Sequence, residues 1–118
     1  MYEFENIVRS EDGAELFARC RINRTYAIFN GHFEGQPLMP AAAQLQMIDE
    51  FIRSDRQDGA RIIGGRTLKF VQQIHPDDMI HLLLRYRTRT MVDFFIQKED
   101  ASLASKGTLM LMGGDVDN

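Results

Sequence analysis

Residues 40–52 read PAAAQLQMIDEFI, and this stretch is the most informative about the fold. Its larger apolar residues recur three and four positions apart, which is typical of one buried face of a helix. These residues are Leu45, Met47, Ile48, Phe51 and Ile52. Pro40 stands where a first helical residue is favoured. No further proline or glycine occurs before Gly59, which is the expected stop signal. We therefore predict one long helix beginning at Pro40.

Most of the remaining chain alternates between apolar and polar residues, the pattern of half-buried strands. Residues 2–8 and 14–22 are predicted to pair as a hairpin around the Glu-Asp-Gly turn at 11–13. Further strands are predicted at residues 61–70, 80–87, 92–96 and 103–112. The Gly64-Gly65 pair predicts a bulge in the first of these four. The predicted fold class is α+β, with about six antiparallel strands wrapped around one long central helix.

Length and composition restrict the class of protein. A chain of 118 residues has room for one domain, predicted over residues 1–118, with residues 113–118 expected to form a frayed tail. Hydrophobic residues make up 44% and charged residues 26%, the usual globular proportions. The net charge of −3 argues against non-specific nucleic-acid binding, which needs many uncompensated cations. Domains of this size often bury a further apolar face by dimerising, so a homodimer is expected.

Several kinds of site and location are disfavoured. The sequence has neither a long apolar run nor a basic, apolar leader, so we expect no membrane span and a cytoplasmic location. Cys20 is the only cysteine, so no intrachain disulfide or cysteine zinc cluster is expected, and its inward strand position predicts a small core residue. His75 precedes a proline turn and His81 falls on an outward strand face, so we predict no metal site.

The segment before the helix carries the chemistry. Residues 29–40 read FNGHFEGQPLMP, with His32 between a glycine and an aromatic residue. The segment ends at a helix N-terminus, where unpaired backbone N–H groups and the helix dipole favour negative charge. A base beside such a site is what proton abstraction next to a carbonyl requires. A histidine with a purely structural role in a loop is the alternative, and the residues alone leave both interpretations open.

The same segment resembles a known family signature. Gly31-His32-Phe33-x-Gly35-x-Pro37-x-Met39-Pro40 resembles the Gly-His-Phe-Pro-Gly-x-Pro-x-Met-Pro-Gly signature of the 3-hydroxyacyl-acyl-carrier-protein dehydratases, which have the hotdog fold. A second block, Leu68-Lys69-Phe70 followed by His75-Pro76-Asp77-Asp78, also agrees with that family. The resemblance covers nearly the whole chain. The short length and the Gln44-Leu45 pair resemble the bacterial branch that serves specialised lipid or aryl-polyene-type pathways.

The resemblance implies an activity and assigns residues to it. A family member dehydrates a 3-hydroxyacyl chain on acyl carrier protein to the trans-2-enoyl form, with no cofactor or metal. His32 is then the base that removes the α-proton. The backbone N–H of Ala41, where the family has glycine, polarises the thioester carbonyl. The residues expected to contact substrate are Phe33, Gly35, Met39 and Pro40.

The position of the family's acid is altered. The family has Asp or Glu fourteen residues after the histidine, and this chain has Gln46 there. Glutamine can donate and accept hydrogen bonds but cannot protonate a leaving hydroxyl. General acid catalysis contributes about 10² to 10⁴ in rate, so the change matters. Asp49 and Glu50 lie one turn further along the same side, displaced by about 5 Å, and are either substitute acids or acids near the solvated helix end.

With the acid position altered, three functions remain open. The chain is a working dehydratase, or the reverse hydratase, with a rearranged or water-mediated acid. Alternatively, it is a degenerate binding subunit that shares a site with a related partner. The third is an acyl thioesterase. The expected partners are an acyl-carrier-protein or coenzyme A thioester and a second hotdog chain, identical or related. Arg85, Arg87 and Arg89 alternate along one predicted strand, and form either a carrier-protein contact or a solvated face.

Overall fold

The computed structural model describes residues 1–29 and 38–113, and this part of the chain contains six β-strands and one α-helix. The strands are β1 (Phe4–Arg9), β2 (Glu15–Arg21), β3 (Arg61–Phe70), β4 (Met79–Thr88), β5 (Met91–Lys98) and β6 (Leu103–Met112), and the helix is α1 (Ala41–Arg56). A short 3₁₀-helix, Ala27–Phe29, follows β2. Within these residues, no helix has both the length and the apolar character that crossing a bilayer requires. Of the expected frayed tail, residues 114–118 lie outside the described residues.

The strands form a single antiparallel sheet in the order β1-β2-β4-β5-β6-β3. After β2 the chain passes through α1 to β3 at the far edge, and β4 then returns to lie beside β2. β1 and β3 are consequently the edge strands. The predicted α+β class and the hotdog fold, a sheet wrapped around one helix, are confirmed.

The helix differs from the prediction at both ends. Pro40 is extended, with φ −69° and ψ 161°, so it precedes the helix and α1 begins at Ala41. At the other end, Gln57 takes the left-handed conformation, with φ 55°, and donates its N–H to the Arg53 carbonyl at 3.1 Å. The predicted stop at Gly59 is therefore wrong. Gly59 instead lies in the following turn, with φ 83°.

One apolar core joins the helix to the concave side of the sheet. The helix contributes Met47, Ile48, Phe51 and Ile52, all fully buried. The sheet contributes alternate residues of β2, β4 and β5, because side chains alternate between the two faces of a strand. These residues are Leu16, Ala18, Cys20, Ile80, Leu82, Leu84, Val92, Phe94 and Ile96. Cys20 is fully buried and unpaired, which confirms it as a core residue.

β3 is irregular where it pairs with β6. The register shifts between Ile62 and Gly64, so the predicted bulge begins at Ile63, just before the glycine pair. A second shift lies between Arg66 and Lys69, where Thr67 has φ 56°. This second bulge brings Leu68 over Gly107 of β6. A Cβ on Gly107 would lie only 2.5 Å from Leu68 Cδ2 and 3.2 Å from the Leu68 Cα, so the position favours glycine.

Candidate functional site

A cleft of about 370 Å³ opens at the N-terminal end of α1. One wall is the segment that leads into the helix, with Gln44 behind it, and the other is the chain just after β3. The lining residues are Leu38, Met39, Pro40, Ala41, Gln44, Phe70, Val71, Gln72 and Gln73. The cleft therefore lies at residues 38–41, which follow residues 30–37 in the sequence; residues 30–37 are outside the described part of the chain.

Hydrogen bonds hold Met39 from both sides. Its backbone N–H donates to the Ile74 carbonyl at 2.7 Å. Its carbonyl accepts a hydrogen bond from Gln44 Nε2 at 3.2 Å. The Met39 side chain is buried in the core cluster. This residue thus anchors the wall of the cleft that ends in Pro40 and Ala41.

The opposite wall is bent by a bifurcated acceptor. The N–H groups of Val71 and Gln72 both donate to the Ala104 carbonyl, at 2.8 and 3.2 Å. The bend leaves Phe70 and Val71 with 37% and 59% of their surface exposed. An apolar surface therefore forms the mouth of the cleft.

The start of α1 offers backbone donors to this cleft. The first N–H groups of a helix have no intrahelical acceptor and carry partial positive charge. No side chain in the described part of the chain caps α1, and Ala41 is exposed at its start. Since Ala41, which lines the cleft, has only a methyl side chain, a ligand can approach its amide closely. The arrangement suits a carbonyl oxygen that gains negative charge during a reaction.

The predicted site residues fall into three groups. Met39, Pro40 and Ala41 line the cleft together. Gln46 is exposed on α1 and is not among the residues that line the cleft. The remaining predicted residues, His32, Phe33 and Gly35, lie outside the described residues. Their roles stay predictions.

The two alternative acids on the helix are both engaged elsewhere. Asp49 accepts the backbone N–H of Ile62 at 2.9 Å and pairs with Arg53 at 3.1 Å. Glu50 accepts the backbone N–H of Tyr2 and pairs with the Met1 amino group, each at 3.0 Å. Burial, together with the nearby Glu50 carboxylate, raises the pKa of Tyr2 to about 12. These contacts favour structural roles for both acids over substitution for the missing catalytic acid.

Sequence reasoning assigned no role to Gln44 or to residues 70–73. Gln44 lies on the buried face of α1 together with Met47 and Ile48, three and four residues further on. A glutamine on the apolar face of the helix was a signal that could have indicated a role for Gln44, because buried polar groups need hydrogen-bond partners. No comparable signal existed for Gln72 and Gln73, since they face the cleft only through tertiary contact.

The arginines singled out by the sequence are in ion pairs. Arg85 pairs with Glu15 and Arg87 with Asp93, each at 2.8 Å. Arg89 pairs with Asp58 at 3.2 Å. The expectation that all three alternate along one strand is wrong, since β4 ends at Thr88 and Arg89 belongs to the turn. Their acidic neighbours favour a solvated face over a carrier-protein contact.

The two described histidines lie apart from the cleft lining. His75 Nδ1 is 3.8 Å from an Asp78 oxygen, and His81 Nε2 is 3.6 Å from a Glu99 oxygen. Residues 1–29 and 38–113 contain no group of three or more His, Cys, Asp or Glu side chains placed to hold a metal ion.

Comparison with known proteins identifies the family. Residues 8–108 match the sequence model of the ApeI-like family, described as ApeI dehydratase. The chain belongs to the ApeI-like dehydratase family. This match confirms the dehydratase resemblance seen in the signature segment, and it covers strands β2 to β5, the helix and most of β6.

Individual relatives of this ApeI-like chain are distant. It is 23% identical to the 3-hydroxyacyl-[acyl-carrier-protein] dehydratase FabZ of Bacillus licheniformis, over 94% of this chain and 84% of that protein. Its fold is similar to that of the dehydratase heterocomplex ApeI:P from Xenorhabdus doucetiae, with a TM-score of 0.81, 20% identity and coverage of 94% and 97%. An uncharacterized protein from Erwinia carotovora subsp. atroseptica superposes with a TM-score of 0.79, 22% identity and coverage of 95% and 96%. These two structures support the fold.

Proposed function

We propose that this chain dehydrates 3-hydroxyacyl chains on acyl carrier protein to the trans-2-enoyl form, in fatty-acid or polyketide-like biosynthesis. The observation that carries the proposal is the cleft at the start of α1, which no described side chain caps and which follows the His32 segment in the sequence. Membership of the ApeI-like dehydratase family supports the reaction class. The apolar mouth formed by Phe70 and Val71 suits an acyl chain.

In the proposed reaction His32 takes the proton from C2 of the substrate. The electron pair moves onto the thioester oxygen, where the Ala41 N–H and the helix dipole stabilise the negative charge. The pair then forms the C2–C3 double bond as the C3–O bond breaks. The hydroxyl group leaves as water once it has received a proton. This sequence needs a base, an oxyanion site and a proton source.

Gln46 is the proposed contact for the leaving hydroxyl, and because it is exposed on α1 outside the cleft lining, it would contact a substrate held at a site shared with the second chain. Its amide can donate to that oxygen or hold a water beside it, but it cannot supply the proton itself. The proton then comes from the protonated His32 or through the bound water. We expect the dehydration rate to be lower than that of a site with a carboxylic acid, by a factor of up to about 10² to 10⁴.

A second candidate is a binding subunit that shares its site with a related chain. Three observations favour it: Gln46 replaces the acid, and Asp49 and Glu50 are held in structural contacts. The similar ApeI:P structure is described as a dehydratase heterocomplex. In this version a carboxylate of the partner completes the site that contains His32.

The edge strand β3 is the proposed contact for the second chain, whether identical or related. An edge strand presents unpaired backbone groups that readily pair with another strand. Ile63 is 61% exposed near the start of β3, and Phe70 and Val71 are exposed apolar residues at its other end, where they line the cleft. A partner bound here would cover that mouth and exclude water from it.

The test of activity uses the purified chain with a trans-2-enoyl thioester, following loss of the conjugated absorbance. Turnover that is lost in His32→Ala but kept in His75→Ala supports the dehydratase. A silent chain that binds the thioester, and becomes active when a related hotdog chain is added, supports the binding subunit. Release of free thiol without loss of the double bond identifies a thioesterase and overturns both.

The test of assembly compares two matched edge substitutions by light scattering. Ile63→Lys places a charge on the β3 edge and Ile7→Lys on the β1 edge, where Ile7 is 54% exposed. A dimer of two 13.6 kDa chains, alone or with the related chain, should dissociate with Ile63→Lys and persist with Ile7→Lys. The reverse result would overturn the β3 assignment.

A further inference from the structure

A buried hydrogen-bonded pair lies behind the cleft. Gln44 of α1 has only 3% of its surface exposed, and Ser105 of β6 is fully buried. In the described part of the chain, Thr108 is the only other buried polar residue. Burying an amide is costly unless its donor and acceptor are both satisfied. The contacts of Gln44 are therefore informative about its role.

Gln44 connects the sheet to the segment that leads into the helix. Its Oε1 accepts a hydrogen bond from Ser105 Oγ. Its Nε2 donates to the Met39 carbonyl at 3.2 Å. Its backbone N–H donates to the Pro40 carbonyl at 3.1 Å. One residue thus binds two successive carbonyl groups on either side of the Pro40 Cα.

Those two carbonyls define the orientation of the Ala41 amide. Each carbonyl lies in a rigid, planar peptide unit. The Met39 carbonyl belongs to the unit before Pro40, and the Pro40 carbonyl shares its plane with the Ala41 N–H. The proline ring restricts φ to near −65°, and it is −69° here, so ψ of Pro40 is the main freedom between the two planes. The first helical hydrogen bond holds the Pro40 plane and the Gln44 side chain holds the Met39 plane, so the two bonds together restrict that freedom, and only the second depends on the glutamine side chain.

We propose that Gln44 is a positioning residue of the dehydratase site, which directs the Ala41 N–H toward the thioester oxygen. The inference rests on the proposed function, because the Ala41 amide matters only if a carbonyl binds there. Ser105 orients the Gln44 amide so that its NH₂ group faces Met39. An aliphatic side chain of similar size fills the space but makes neither contact, and an ionised carboxylate cannot donate to Met39.

The test compares Gln44→Leu and Gln44→Glu with Thr108→Val. Thr108 Oγ1 donates to Asp93 at 2.7 Å, so its replacement removes a partly buried hydrogen bond away from the cleft. We expect Gln44→Leu to lower kcat by about 10²-fold with little change in KM, since a misaligned oxyanion donor costs on this order. Thr108→Val should lose stability without loss of kcat per folded molecule. Gln44→Glu should recover activity relative to the natural chain at the same pH as the pH is lowered, because the protonated carboxyl can donate to Met39.

A second readout does not depend on turnover. The amide ¹⁵N and ¹H resonances of Ala41 should shift in Gln44→Leu and remain in place in Thr108→Val. An unchanged Ala41 resonance, or a kcat that falls only with the folded fraction, would overturn the positioning role. If the natural chain shows no turnover while Gln44→Leu still moves the Ala41 resonance, the dehydratase proposal fails and the structural inference stands.

Discussion

The carboxylate of Asp49 accepts the backbone N–H of Ile62 at 2.9 Å, which joins the middle of α1 to the start of the edge strand β3. The two residues are separated by the turn that ends the helix. Asp49 is partly buried and pairs with Arg53 through its other oxygen. This contact helps to set the position of the helix against the edge strand, and it engages one of the two carboxylates considered as substitutes for the missing acid.

Asp49→Ala should lower the free energy of unfolding by about 1–2 kcal/mol, because a backbone N–H loses a charged acceptor. Asp49→Asn keeps an acceptor oxygen and should cost less. Chemical denaturation measures both. Turnover per folded molecule should be unaffected in the Asn variant. Abolished turnover there would instead make Asp49 the acid.

Gln46→Glu should raise the rate of dehydration, by at most about 10² to 10⁴, because it restores the carboxyl group that the family has at this position. The side chain is exposed, so the free energy of unfolding should change by less than about 0.5 kcal/mol. The enoyl-thioester assay measures the rate, with Gln46→Ala as the matched control. Equal rates for Glu and Ala would show that position 46 does not handle the leaving group.

Gly107→Ala should destabilise the fold by about 1–3 kcal/mol, the usual cost of overpacking. Its Cβ would lie 3.0 Å from Phe94 Cε2 and 3.2 Å from the Leu68 Cα, besides the close Leu68 methyl. Gly64→Ala is the control, since its Cβ would meet only Met110 Cγ, at 3.9 Å. Thermal melting should show a clear loss for position 107 and a small change for position 64.

A double-mutant cycle tests the cause of that loss. Leu68→Ala removes the Cδ2 methyl group that a Cβ at position 107 would meet, so adding it to Gly107→Ala should recover part of the loss attributed to the clash. If the two substitutions are additive, the bulge at Leu68 is not what requires glycine at position 107.

Cys20 should react very slowly with thiol reagents in the folded protein. Burial raises the pKa of its thiol to about 11 from an ordinary value near 9. Since the thiolate is the reactive form, its fraction at pH 8 falls by about a hundredfold, and burial also blocks access. Labelling with a chromogenic disulfide should be slow in buffer and rapid in guanidinium chloride. Rapid labelling of the folded chain would contradict the packing of β2.

Much of the secondary structure was predictable because it depends on local patterns. The alternation in residues 14–22 and the helical spacing from Leu45 to Ile52 report which side of each element is buried. The ends of the helix were less predictable. Gln57 has no sequence signal for the left-handed conformation, and Gly59, which has that signal, lies in the next turn.

The candidate site was predicted in part. The signature segment indicated Met39, Pro40 and Ala41, and the structure brings these three into one cleft. The other wall was not assigned, because residues 70–73 reach the cleft only through the pairing of β3 with β6. His32 remains a prediction from the resemblance.

The sequence by itself determined the α+β class, the one amphipathic helix and the dehydratase signature, since each depends on residues that are close together in the sequence. Only the tertiary structure decided the strand order, with β3 at the far edge, and the contacts that span the chain. Gln44 and Ser105 are 61 residues apart. Asp49 contacts Ile62 only because the chain reverses direction after α1 and runs back beside the helix as β3. Periodicity shows that a face is buried, but the partner of that face depends on how all the elements pack together.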